Sequence, residues 1–209
     1  MSLKYEAPSQ SAFLFREDFR RTYELTSGNA FSRIISCYRS PGLHAIGIYR
    51  FGRWLRKQNV LLKILLEPIY LILFHRIRSK WGIEVPRTAE IDGGFYIGHY
   101  GGITISGLAR IGKNTSISQQ VTIGEAGRGD SWGVPTIGDD VYIAPGAKIF
   151  GNICVGNNVK IGANAVVHKD IPDNAIVVLD PGFKIISLRG NRETKHDVSV
   201  QNESRSRRA

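Results

Sequence analysis

The chain has 209 residues, 42% of them hydrophobic and 10% aromatic, which suffices for an ordinary core in one large or two small domains and excludes disorder as the default state. Its net charge of +10 is unevenly placed: residues 41–80 carry eight Lys or Arg against one acid, Glu67, so seven of the ten excess charges lie in one segment. Such a surface suits anionic ligands, anionic lipids or nucleic acid alike, but no nucleic-acid motif accompanies it, and nucleic acid is not expected as a partner.

Cys37 and Cys154 are far apart and show no Cys-x-x-Cys spacing, which gives neither a disulfide framework nor a zinc knuckle and points to a reducing cytoplasm. The start, Met1-Ser-Leu-Lys-Tyr-Glu, lacks a basic n-region followed by a long apolar run, so a mature protein beginning near Met1 is expected.

In chain order, residues 1–82 read as an α-helical N-terminal domain. Phe13, Phe15, Phe19 and Tyr23 recur at helical spacing, as do the apolar residues from Leu43 to Leu55, and Pro41-Gly42 marks a helix boundary. The run from Leu61 to Phe74 is strongly apolar but broken by Lys63, Glu67 and Pro68, and it falls short of the roughly twenty residues needed to cross a bilayer. It is read as a packed or subunit-interface helix. The alternative is an interfacial helix with Arg76, Arg78 and Lys80 at anionic headgroups, which would make the protein a peripheral inner-membrane one.

From Val85 the pattern changes. Aliphatic residues recur every six positions: Val85, Ile91, Ile97 and Ile103; then, after a two-residue slip, Ile105, Ile111, Ile117 and Ile123; then Ile137, Ile143, Ile149, Val155, Ile161 and Val167. A period of six matches neither a helix nor an alternating strand. It suits a left-handed parallel β-helix over 83–190, with three short strands per coil, one inward side chain per strand, and glycine at the turns. The segment 125–136 interrupts the repeat and is expected to protrude as a loop that carries function. The polar, basic stretch 191–209 is expected to be a disordered tail.

Within this pattern three segments resemble the serine acetyltransferase family of hexapeptide-repeat acyltransferases, over roughly residues 38–190. They are Gly42-Leu-His-Ala-Ile-Gly-Ile-Tyr-Arg-Phe-Gly-Arg-Trp-Leu55, Ile97-Gly-His-Tyr-Gly-Gly102 and Ile143-Ala-Pro-Gly-Ala-Lys-Ile-Phe-Gly-Asn-Ile153. The resemblance implies acetyl-CoA as co-substrate, no metal, and a homotrimer with the catalytic groove between subunits; pairing of trimers through the helices stays open. It places the catalytic histidine at His99 and its partner carboxylate at Glu84, where serine enzymes have Asp. The chemistry is consistent: attack of a hydroxyl on a thioester needs a base as the bond forms, which an imidazole supplies, and a carboxylate on its other nitrogen fixes the tautomer.

The same resemblance puts the co-substrate against Ala144, Gly146, Gly162 and Ala163, with Lys160 and Lys184 near its phosphates and adenine. Small residues at those places are also what the coil corners need. In the loop, Arg128, Asp130 and Trp132 are candidates for acceptor contact, since an aromatic face packs on a ring and Arg binds anions. His44, His75, His168 and His196 are read as structural, and three converging histidines for a metal cannot be assembled.

Two departures bear on the acceptor. Gly98 stands where serine enzymes have Asp before the catalytic His, and Val134 where they have a second His. These, with Glu84 and the basic helices, resemble the serine-acetyltransferase-like enzymes of capsule and exopolysaccharide clusters. The expectation is therefore O-acetylation of a sugar in surface-polysaccharide biosynthesis. The alternatives are a true serine acetyltransferase and a non-catalytic β-helix scaffold.

Overall fold

The computed structural model describes residues 11–129 and 132–179. Four helices come first: α1 (Ser11–Leu25), α2 (Ala30–Arg39), α3 (Pro41–Leu55) and α4 (Val60–Trp81). Their ends follow from side chains that satisfy orphan amides. Asn29 caps α2 by accepting from Ser32 N, Asn59 caps α4 by accepting from Leu62 N, and Ser40 caps α3 by accepting from Leu43 N with Pro41 in the first turn. Gly82 closes α4 in the left-handed region at φ 59, a conformation cheap only without a Cβ. Pro68 lies inside α4 without ending it.

Among the described residues fourteen short strands follow: β1 (Ile83–Glu84), β2 (Glu90–Ile91), β3 (Tyr96–Ile97), β4 (Ile103–Ile105), β5 (Arg110–Ile111), β6 (Ser116–Ile117), β7 (Thr122–Gly124), β8 (Thr136–Ile137), β9 (Tyr142–Ile143), β10 (Lys148–Phe150), β11 (Cys154–Val155), β12 (Lys160–Ile161), β13 (Val166–Val167) and β14 (Ile176–Val177). They form three parallel sheets: β1-β4-β7-β10-β13, β2-β5-β8-β11 and β3-β6-β9-β12-β14 in spatial order. Consecutive strands from β1 to β13 therefore visit the three sheets in strict rotation, so the chain winds as a three-faced coil. Ile91, Ile111 and Ile137 stack in register on one face, and Ile97, Ile117, Ile143 and Ile161 on another. These residues, with Ile83, Ile103, Ile105, Ile123 and Ile149, are buried in one continuous core. Apart from β4, which buries both Ile103 and Ile105, the strands place one aliphatic chain inward each, which accounts for the six-residue period.

The helices share that core through Ala45, Ile46, Tyr49 and Ile77. Arg50 and Asp18 are both buried. The guanidinium donates to both Asp18 oxygens (2.8 and 3.1 Å) and to the carbonyls of Ile91 and Asp92 (2.6 Å each), while Asp18 Oδ1 also accepts from Phe95 N at 2.8 Å. Burial pushes the Asp18 carboxyl up from its ordinary value, opposed by Arg50 and the Phe95 amide. Tyr49 donates to Ala89 O and accepts from Ile91 N. A Cβ on Gly42 would lie 2.3 Å from Ile97 O, so only glycine lets α3 approach the strand that leads into the His99 corner.

Among the described residues no helix is long and apolar enough to cross a membrane. The tail at 191–209 lies outside the described residues.

Candidate active site

The strand β3 (Tyr96–Ile97) ends at the corner that holds His99. From Ile97 to Ile105 the chain takes eight steps between core positions, whereas the corner below, from Ile117 to Ile123, takes six. The two extra residues make the slip seen in the repeat. Gly101 and Gly102 absorb it at φ 104 and 65, and His99 and Tyr100 are exposed on the widened turn. Gln120 N donates to Gly101 O at 2.7 Å and ties the bulge to the coil beneath.

Register then fixes what shares this corner. Ile97, Ile117, Ile143 and Ile161 are in line, and the next amides, from Gly98, Ser118 and Ala144, donate to Ile117, Ile143 and Ile161 carbonyls. The bond from Gln120 N to Gly101 O then aligns Gly101 with Gln119, so Gly101, Gln119, Pro145 and Ala163 form a column along one edge of the coil, with His99 and Tyr100 as the two inserted residues at its top. Gly146 N to Gln119 O (3.0 Å) and Asn164 N to Pro145 O (2.9 Å) hold its lower part. Parallel strands are about 4.8 Å apart, so Ala163 lies three rungs, roughly 14 Å, below the corner that carries His99.

The expected co-substrate residues Ala144, Gly146, Gly162 and Ala163 thus all lie on the His99 edge. They are not equivalent. The amides of Ala144, Gly146 and Gly162 are engaged in the ladder, and Gly146 sits at φ 76 with Asn164 Oδ1 2.0 Å from where a Cβ would be, so a side chain there would have to displace the Asn164 amide. Ala163 is exposed, and among the described residues its N–H has no hydrogen-bond partner, which leaves a backbone donor at the edge for an extended amide-bearing ligand. Lys160 is exposed on β12 (Lys160–Ile161), one strand before this corner. Lys184 lies outside the described residues.

Sequence reasoning missed Gln119. It stands one rung below Gly101 in the corner that carries His99, and its Oε1 is buried without a hydrogen-bond partner among the described residues. A buried unsatisfied carbonyl costs about 1–3 kcal/mol, and on this edge it points to a ligand donor.

Glu84 is on β1, in register with Thr104. The chain just before it touches the His99 corner: a Cβ on Gly82 would be 3.1 Å from Gly102 N, and Gly82 O accepts from Ile103 N. No hydrogen bond or ion pair joins Glu84 to His99; its carboxylate faces Arg78 at 3.6 Å, both side chains being largely solvated. A pair so exposed contributes little and exchanges readily.

The loop between β7 (Thr122–Gly124) and β8 (Thr136–Ile137) closes on itself through the paired amides of Ala126 and Gly133. It leaves a different corner from the one that holds His99, so within one chain Arg128 and Trp132 do not join the His99 column. Trp132 is about half exposed and Arg128 is exposed; Asp130 lies outside the described residues. His44 packs between Tyr38 and Trp81, His75 against Ser79, and His168 on Phe150, while His196 lies outside the described residues. Among the described residues no group of His, Cys, Asp and Glu is placed to hold a metal.

Comparison with known proteins decides the family. The bacterial transferase hexapeptide (six repeats) pattern matches residues 135–169. The serine acetyltransferase of Synechococcus elongatus is 34% identical over 83% of this chain and 68% of its own length. That of Bacillus pumilus is 33% identical over 88% and 82%. The chain belongs to the serine acetyltransferase family. It is accordingly an acyltransferase, which sets aside the non-catalytic scaffold.

Among solved structures, serine acetyltransferase isoform 3 of Entamoeba histolytica in complex with cysteine is similar at TM-score 0.66 and 29% identity, covering 93% of this chain and 65% of that one. The Neisseria gonorrhoeae enzyme in complex with serine gives 0.65 and 28%, covering 82% and 68%. The similarities correct the expectation of a capsule or exopolysaccharide enzyme with a sugar acceptor. Relatives at 33–38% identity are serine acetyltransferases, so the departures at Gly98 and Val134 do not mark a different named group.

Proposed function

We propose that this chain is a serine O-acetyltransferase that moves the acetyl group of acetyl-CoA to the hydroxyl of L-serine, working as a trimer wound on left-handed β-helices. The observation that carries the reading is the single edge of the coil that carries His99 in its widened top corner and Gln119, Pro145 and Ala163 on the rungs beneath, in a chain similar to serine acetyltransferases over most of its length.

His99 removes the hydroxyl proton as the serine oxygen attacks the thioester carbonyl. The C–S bond then breaks, and the proton on the imidazolium passes to the departing thiolate. Glu84, on the strand beside the His99 corner, positions the imidazole after exchanging its solvated contact with Arg78. The co-substrate arm runs down the edge, one of its carbonyls meeting the exposed N–H of Ala163. Lys160 meets its 3′-phosphate and Lys184 borders its adenine. The loop residues Arg128, Asp130 and Trp132 reach acceptor at a neighbouring subunit's His99 edge, since they leave their own coil from another corner.

The test is release of free CoA thiol by the purified protein with L-serine, L-threonine and a panel of other hydroxyl compounds. The expected result is the highest kcat/KM with L-serine. Another acceptor exceeding it, or turnover independent of any acceptor, overturns the reading.

A further inference from the structure

Helix α4 carries an apolar face that none of the described residues covers. Val60, Leu61, Ile64, Leu65, Ile69 and Ile72 are exposed, Leu61 at 79%, while Tyr70 and Ile77 on the opposite side are buried. At 100° per residue the exposed set forms one continuous stripe over the first fourteen residues, about 21 Å long. That exceeds the apolar area a monomer ordinarily leaves in water.

The charges around the stripe are mainly positive, with Glu84 facing Arg78 at 3.6 Å. Glu67 is the helix's only acid, and Arg87 of the coil holds it by two hydrogen bonds of 2.6 and 2.8 Å. Exposed cations stand at both ends: Arg56 and Lys57 before Val60, and Arg76, Arg78 and Lys80 after Leu73. At the first end they continue into an open cleft of about 500 Å³ whose lining includes Arg53, Arg56 and Lys57. The cleft's acid, Glu90, pairs with Arg110 at 3.3 Å.

We propose that α4 lies in the surface layer of an anionic membrane, with the aliphatic stripe at the acyl boundary and Arg56, Lys57, Arg76 and Lys80 on lipid phosphates. Charge selects this occupant over a second copy of the chain. Two copies meeting on this face would bring their cationic ends together with no acid on the stripe to neutralise them, whereas anionic lipid supplies the missing charge. Fourteen apolar residues with cations at either end lie along an interface and do not cross it.

The full chain is to be mixed with vesicles of phosphatidylglycerol and phosphatidylcholine, or phosphatidylcholine alone, and floated at low and high salt. It floats with the anionic vesicles at low salt, less at high salt, and not with phosphatidylcholine alone. Lys57→Gln with Arg76→Gln lowers the partition coefficient about fivefold per cation. Leu61→Ser with Leu65→Ser lowers it roughly tenfold or more per side chain, with the circular dichroism and particle mass of the parent. Absence of flotation at low salt, or flotation unchanged in Leu61→Ser with Leu65→Ser, overturns the proposal. So does a smaller particle for that variant, which would give the face to a second copy.

Discussion

Arg50→Met tests how the helices are joined to the coil that carries the site. Met fills much of the volume but leaves the fully buried Asp18 with the Phe95 amide as its remaining partner and leaves the carbonyls of Ile91 and Asp92 without their Arg50 donors. Breaking a buried pair by removing one member costs about 3–5 kcal/mol, because the other charge stays buried. Urea unfolding followed by circular dichroism at fixed protein concentration reads the loss as a lower midpoint with unchanged slope. The pH dependence has a definite sign. Burial already raises Asp18, and without Arg50 it is raised further, so the protonated carboxyl is favoured in the folded state. The defect is then largest above the folded-state value and shrinks as pH falls through it towards the unfolded value. A loss below about 1 kcal/mol, or a defect that grows on acidification, refutes this account of the junction.

Three further outcomes follow from the edge itself. Glu84→Gln lowers kcat by about tenfold or more while leaving acetyl-CoA affinity near the parent value, because it removes support for the imidazolium and no co-substrate contact; a full kcat removes Glu84 as the positioning group. Gln119→Leu leaves stability equal or higher, since it deletes a buried carbonyl without a partner. The same variant raises the KM of one substrate, and unchanged kinetics would assign Gln119 to packing alone. Gly98→Asp restores the acid that serine enzymes have before the histidine, in a place where the nearest atom to the new Cβ is the Tyr96 ring edge at 3.2 Å. It lowers the KM for L-serine, and an unchanged or higher value shows that acceptor recognition does not use that position.

The coil was legible because its cause is local: one inward aliphatic side chain per short strand imposes a six-residue period, from Val85 to Val167. The slip at Ile103 to Ile105 was equally visible, and it proves to be the widened corner that carries His99. The Asp18–Arg50 junction was not legible. Its members are 32 residues apart on different helices, and a charged residue in an amphipathic helix reads as solvated until the packing is known. Gln119 escaped notice for a related reason, since only the stacking of successive coils puts it beneath the corner that carries His99. The acceptor was misjudged from Gly98 and Val134. A missing side chain removes one contact without showing which group takes its place, and likeness over 83–88% of the chain outweighs two positions.

The most direct measurement of the central claim is serine-dependent thiol release from acetyl-CoA by the parent protein and by His99→Ala, with acetyl-CoA binding measured separately. The account predicts O-acetylserine from the parent and a kcat lower by about a hundredfold or more in the variant, with co-substrate affinity retained. Equal turnover in the two proteins, or no serine-dependent release by the parent, contradicts it.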